Sequence, residues 1–134
     1  MIDVAAGILM DERGRVLLMQ RLPGKHLAGL WEFPHGPLLD GESHESAASR
    51  LVAELTGVRA KLGTELLTIR HGITRYRITL TCFEGVYARG SFQSRFYIAG
   101  RWLSLADLAA YPVSSPQRRL ARFLLSPDRQ RRLF

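Results

Sequence analysis

Apolar residues come in short bursts along this chain, and their spacing changes from stretch to stretch. Asp3 to Met10 is mostly apolar, Asp11-Glu12-Arg13-Gly14 interrupts it, and Arg15 to Arg21 resumes with Val16-Leu17-Leu18-Met19 at its centre. An unbroken apolar run suits a buried strand, and an Asp start with a Gly end suits a tight turn, so this stretch predicts a β-hairpin. Residues 22–30 break any period with Pro23-Gly24 and Gly29 and read as a loop. Trp31-Glu32-Phe33 alternates until Pro34 stops it. Aromatic residues at period two usually pack beneath a sheet, which places Trp31 and Phe33 in the core ahead of a stacking role.

Between Ser43 and Thr56 the period lengthens to that of a helix. Ser43 is a candidate N-cap, Glu45 falls in the first turn, and Gly57 suits the position after the last turn. Ala47, Ala48, Leu51, Val52 and Leu55 share an arc of about 140°; Glu54 lies just off one edge of it, with Arg50 beside Glu54. Leu62 to Arg70 and Arg75 to Phe83 read as strands, the second alternating Ile78, Leu80 and Cys82 with Arg77, Thr79 and Thr81. His71-Gly72 marks the turn between them, and Phe92 to Ile98 reads as a further strand. Leu105 to Ala110 is a short helix. Ser115 to Leu125 is a second full helix, with Ser114 or Ser115 as N-cap and Pro116 in its first turn. Hairpins mixed with separated helices predict an α+β or mixed α/β fold with helices packed on a twisted sheet.

The chain has 134 residues, close to one ordinary domain, and carries no repeat, low-complexity stretch or linker. The expectation is a single domain over 1–134, with an ordered core over about 3–125 and a basic tail at 126–134. With 46% hydrophobic and 23% charged residues, a disordered tail, a collagen-like repeat and a disulfide scaffold are excluded. Cys82 is the only cysteine, which rules out an intrachain disulfide, a four-cysteine zinc site and an iron–sulfur cluster. His26, His35 and His44 have no zinc spacing and read as loop residues. The amino end does not resemble a signal peptide, and no apolar run approaches about 18–20 residues, so a soluble cytoplasmic protein without membrane association is expected.

Charge is unevenly divided. Residues 1–66 carry 7 basic and 9 acidic side chains, residues 67–134 carry 12 and 3, and the whole has a net charge of +7. A basic second half suggests a polyanion, nucleic acid first, and an association with the nucleoid. The alternative is a compositional bias, since 17 of the 19 basic residues are arginine.

The most specific stretch is Gly36 to Val58. Gly36 is followed after five residues by Glu42 and after seven more by Arg50, and the stretch closes with Glu54, Gly57 and Val58. This resembles the Nudix box, a loop–helix–loop of pattern G-x5-E-x7-R-E-U-x-E-E-x-G-U, where U is aliphatic. The resemblance implies a Nudix fold, an α/β/α sandwich with a mixed curved sheet, and Mg2+-assisted attack of water on a phosphorus of a nucleoside diphosphate derivative. The pattern places carboxylates at 51, 54 and 55, which converge on one helix face and suit a hard cation. This chain has Leu51, Glu54 and Leu55 there. Glu54 is thus the one remaining metal candidate, an ordinary surface pair with Arg50 is the alternative, and the box is degenerate.

Three more stretches narrow the resemblance. Leu27 to Pro34 is similar to the GLWEFP segment of the carboxy-terminal, MutT-like domain of adenine DNA glycosylases of the MutY type. His71 to Ile78 resembles that domain's H-x-F-[ST]-H-x-x-L motif, with Ile73 and Arg75 departing from it. Trp102 to Leu108 and Tyr111 to Leu120 resemble its closing segment, and the whole covers roughly residues 3–125. The resemblance implies recognition of 8-oxoguanine opposite adenine in double-stranded DNA for base excision repair, without hydrolysis. A separate helix–hairpin–helix glycosylase domain, absent here, would excise the base. It assigns Thr74 to the lesion, with His71 and Tyr76 as further DNA-binding candidates of the same motif. The guanidinium forks of Arg75 and Arg77 suit phosphates, and an ordinary hairpin threonine and solvated strand-face charges are the alternatives. The tail Arg129 to Arg132 is either a DNA contact or a frayed terminus.

Two other functions stand beside this one. The first is a free-standing Nudix hydrolase of 8-oxo-dGTP or another nucleoside diphosphate derivative, with Mg2+ as its cofactor and Gly36, Glu42, Arg50 and Glu54 as the remnants of its site. The second is a Nudix-fold ligand sensor or interaction domain without catalysis.

Overall fold

A computed structural model of the chain describes residues 2–24, 28–73 and 76–126. Among the described residues, seven strands and two α-helices follow one another: β1 (Ile2–Met10), β2 (Val16–Arg21), β3 (Trp31–Glu32), β4 (His35–Pro37), α1 (His44–Thr56), β5 (Arg59–Ile73), β6 (Tyr76–Arg89), β7 (Tyr97–Leu103) and α2 (Ser115–Leu124). A short 3₁₀ helix, Leu105–Ala110, precedes α2. Neighbouring strands run β3-β2-β1-β6-β5, with β4 added to β1 and β7 added to β2.

Strand β1 is the axis of the fold. Its pairing with β6 is parallel along its whole length, Ile2↔Ile78 to Met10↔Val86. Its other edge is divided between β4, at Val4 to Ala6, and β2, at Met10 alone. The expected β1–β2 hairpin is therefore corrected to a single pair beside the turn. Both strands are buried on both faces and so need partners on both edges; β2 finds them in β3 and β7.

Period two along β1 divides the core. Val4, Ala6 and Ile8 face the layer of α2, with Phe33, Ile69, Leu80, Leu120 and Leu124. Ala5 and Leu9 face the layer of α1, with Ala47, Ala48, Val52, Val58 and Phe83. This is the expected α/β/α sandwich on a mixed sheet. Trp31, Phe33 and Cys82 are buried in it.

Helix α1 forms where its caps and period place it. Ser43 Oγ accepts from Ser46 N at 3.1 Å. At the other end Gly57 takes φ 74°, a left-handed conformation suited to glycine, and donates to Ala53 O at 3.0 Å. Three local expectations are corrected. His71-Gly72 is not a turn, because the β5–β6 ladder continues to Ile73↔Tyr76. Strand β7 starts at Tyr97 rather than Phe92; Phe92 leaves the ladder and packs over Gly100, where a Cβ would meet its ring at 2.5 Å. Strand β4 was not anticipated, since His-Gly-Pro carries no strand signal. Among the described residues, no helix is long and apolar enough to cross a membrane.

Candidate functional site

Helix α1, strand β4 and the loop between them meet at Arg50. Its Nε and Nη2 donate to the two oxygens of Glu42, each at 2.9 Å. Nη2 also donates to Pro37 O at 3.1 Å, and Nη1 reaches Glu54 Oε2 at 3.3 Å. Glu42 Oε1 accepts Leu39 N as well, at 3.0 Å. The Arg50 guanidinium, helped by the Leu39 N–H, holds the Glu42 carboxyl below the usual carboxylate range. One arginine thus ties the loop to the helix through a two-point charge-assisted contact. Both Glu42 oxygens are engaged in that clamp.

Glu54 differs. Its side chain is 62% exposed, and among the described residues its one hydrogen-bond and ion-pair partner is Arg50, at Oε2. The neighbouring pattern positions belong to the core. Leu51 is 6% exposed and lies against β4 so closely that a Cβ on Gly36 would fall 2.8 Å from its Cδ2. Leu55 is half-buried and packs on the apolar layer of α1. Among the described residues, no three His, Cys, Asp or Glu side chains gather as a metal ligand set. Magnesium needs carboxylate oxygens, and a clamped Glu42, two leucines and a single open Glu54 do not fit a centre of several carboxylates.

A groove of about 430 Å³ adjoins Glu54, lined also by Gln93, Ser94, Arg95 and Phe96. Its far wall is anchored to the end of α1, where Gln93 N donates to Thr56 O at 2.8 Å. Ser94 Oγ accepts from Phe96 N at 3.0 Å and from Tyr97 N at 2.9 Å, which shapes the loop. Neither Arg95 nor this groove was signalled by the sequence, because the loop reads there as a strand.

The structure also reveals a buried polar cluster. Glu32 is 4% exposed; it accepts from Arg21 Nε through Oε1 and from the Tyr97 hydroxyl through Oε2, the latter at 2.6 Å. Burial, reinforced by the Glu32 charge, drives the Tyr97 phenol well above its ordinary pKa. His35 Nδ1 lies 2.9 Å from Phe33 O, 3.4 Å from Glu32 Oε2 and 3.5 Å from Gln117 Nε2. The Glu32 position could have been suspected from a carboxylate set between two core aromatics.

Glu42, Arg50 and Glu54 are joined by hydrogen bonds, and Gly36 lies in β4 against Leu51. The second group of expected residues lies on the β5–β6 hairpin. His71 pairs with Ile78, and Arg77, exposed, pairs with Gly72. Tyr76 pairs with Ile73. Thr74 and Arg75, like His26 and Arg129 to Arg132, lie outside the described residues. Among the described residues no hydrogen bond or ion pair connects the hairpin to the Arg50 clamp.

Comparison with known proteins completes the picture. The family model for the NUDIX domain matches residues 5–122. The chain is 37% identical over 82 residues to an 8-oxo-dGTP diphosphatase of Proteus vulgaris, covering 61% of this chain and 73% of that one. It is 30% identical over 114 residues to a CTP pyrophosphohydrolase of Escherichia coli, covering 85% and 84%. The solution structure of the E. coli ORF135 protein superposes with a TM-score of 0.81 at 27% identity, over 92% of this chain and 88% of that one. The named relatives are nucleotide hydrolases. That overturns the expectation of a lesion-recognition domain of an adenine DNA glycosylase. The first alternative, a Nudix hydrolase, is favoured in its place.

Proposed function

The chain belongs to the NUDIX domain family, and from that premise we propose that it is a nucleotide pyrophosphohydrolase of low turnover. Its substrate class is a nucleoside triphosphate such as 8-oxo-dGTP or CTP, held in the groove beside Glu54. The relatives' names support the substrate class. The observation that carries the assignment to this groove is Glu54 itself, the carboxylate that lines it, whose Oε1 accepts no hydrogen bond from the described residues.

The reaction needs a water oxygen to bond to phosphorus while the bridging P–O bond breaks and pyrophosphate leaves. Arg50 draws Glu54 through Oε2 and leaves Oε1 to take the proton from that water. The Glu42–Arg50 clamp fixes the helix and loop, so the base is positioned before substrate arrives. Positions 51 and 55, filled by leucine, add no charge stabilisation, which is why turnover is low.

A second reading, nucleotide binding without turnover, is favoured by one feature: Leu51 is buried beneath Gly36 and cannot be exchanged for a ligand by side-chain rotation. Pyrophosphate release from a panel of nucleoside triphosphates, measured beside equilibrium binding, separates the two. Slow release that Glu54→Gln lowers by about 100-fold supports hydrolysis. Tight binding with no release supports the second reading. A panel that is neither bound nor cleaved overturns both.

A further inference from the structure

The groove beside Glu54 has an unusual charge balance for a phosphate site built on carboxylates. Its one carboxylate, Glu54, is already compensated by Arg50. Arg95, on the opposite wall, is exposed and has no ion pair among the described residues. Next to it Phe96 leaves 45% of its surface open, although aromatic rings of that size are usually covered. The Phe96 ring is not loose: it meets Tyr97 edge to face at 4.8 Å between centroids, and the Arg21 guanidinium sits 5.6 Å from its centre. The loop that carries both side chains is fixed by Thr56 O and Ser94 Oγ, so their positions are set in advance.

A guanidinium offers phosphate oxygens a planar fork of donors, and an exposed ring offers a nucleobase a stacking face. Resting on the nucleotide reading above, we propose that Arg95 and Phe96 are the recognition residues of this groove. Arg95 holds the triphosphate, Phe96 stacks the base, and binding needs no divalent metal. The cation that a carboxylate-rich site recruits is replaced here by a side chain of the protein.

The test uses the full chain, with 8-oxo-dGTP, CTP and inorganic tripolyphosphate as probes, titrated in EDTA and again in excess Mg2+. The expected result is comparable nucleotide affinity in both buffers. Arg95→Ala should weaken nucleotide and tripolyphosphate by about tenfold or more, with Arg95→Lys recovering part of the loss. Phe96→Ala should weaken the nucleotides by about tenfold while leaving tripolyphosphate unchanged. Matched thermal melts establish that the variants are folded. Nucleotide binding that requires Mg2+, or that both alanine variants retain, overturns this assignment and leaves the pyrophosphohydrolase reading standing. Absence of nucleotide binding in either buffer overturns that reading and this one with it.

Discussion

Replacing Leu51 with glutamate restores the carboxylate that the family pattern places there, and the structure predicts that the fold rejects it. Leu51 is 6% exposed, so the substitution forfeits about 2 kcal/mol of apolar burial. It also sets a carboxylate against the β4 backbone at Gly36, with the nearest arginine already committed to Glu42 and Glu54. An unpaired buried charge costs about 3–5 kcal/mol, a range that includes the lost apolar burial once the site relaxes, so a loss of about 3–5 kcal/mol is expected. At about 3 °C per kcal/mol for a chain of this length, melting falls by about 10–15 °C. Thermal unfolding followed by far-UV circular dichroism reads this directly, with Leu51→Met, expected to cost below about 1.5 kcal/mol, as the volume-conserving control. Burial favours the neutral carboxyl, so the deficit narrows in acid. A Leu51→Glu protein melting within about 3 °C of wild type, or rescued by Mg2+, would show that the seat accepts a ligating carboxylate and refute the argument.

Other consequences are as direct. Tyr97→Phe leaves Glu32 Oε2 without its hydroxyl donor and should cost about 1–3 kcal/mol in denaturant unfolding, a large effect for the loss of one oxygen. Burial, with the Glu65 charge second, pushes the Cys82 thiol up to about 12, so a thiol reagent should label it slowly in the native protein and rapidly in urea. The Glu42 carboxyl is held low when folded. Its clamp therefore contributes fully above the unfolded carboxylate pKa of about 4.3 and is lost as pH falls through the lower folded value. Glu42→Gln should flatten that acid limb of a stability-versus-pH profile. Gly36→Ala should destabilise by about 1–3 kcal/mol, and a Leu51→Ala background should relieve most of that cost if the two residues share one contact.

Local signals were read well from the residues, and distant pairings were not. Helix α1 was legible because Ser43, Gly57 and the apolar arc of Ala47 to Leu55 each act within a few residues. The β1–β2 turn was legible at 11–14, but nothing local told that their pairing stops at Met10↔Val16 and that Ile78 to Val86 supply the long parallel partner of β1. Glu32 alternates with Trp31 and Phe33 in the sequence. It is buried because Arg21 and Tyr97, the latter 65 positions away, arrive to satisfy it. At the site, the spacing of Gly36, Glu42, Arg50 and Glu54 was visible, and so were the leucines that interrupt the carboxylates. The groove was invisible, since it depends on a loop that docks Gln93 on the end of α1. The likeness of His71 to Ile78 to a lesion-reading motif does not carry a function, because short motifs shared within one fold do not fix its ligand.

The central claim is that this NUDIX domain keeps the frame of a nucleotide hydrolase while two leucines displace its metal ligands. Initial rates of pyrophosphate release from 8-oxo-dGTP and CTP, measured against Mg2+ concentration for wild type and Leu55→Glu, test it most directly. Leu55 is only half-buried, so its replacement is tolerated and puts a second carboxylate beside Glu54, enough oxygen ligands for one nucleotide-borne magnesium ion. Slow wild-type release with little dependence on Mg2+ is expected, and a Leu55→Glu rate that rises with Mg2+ by about tenfold or more. Rapid wild-type turnover that climbs steeply with Mg2+, unchanged or lowered by Leu55→Glu, would contradict it.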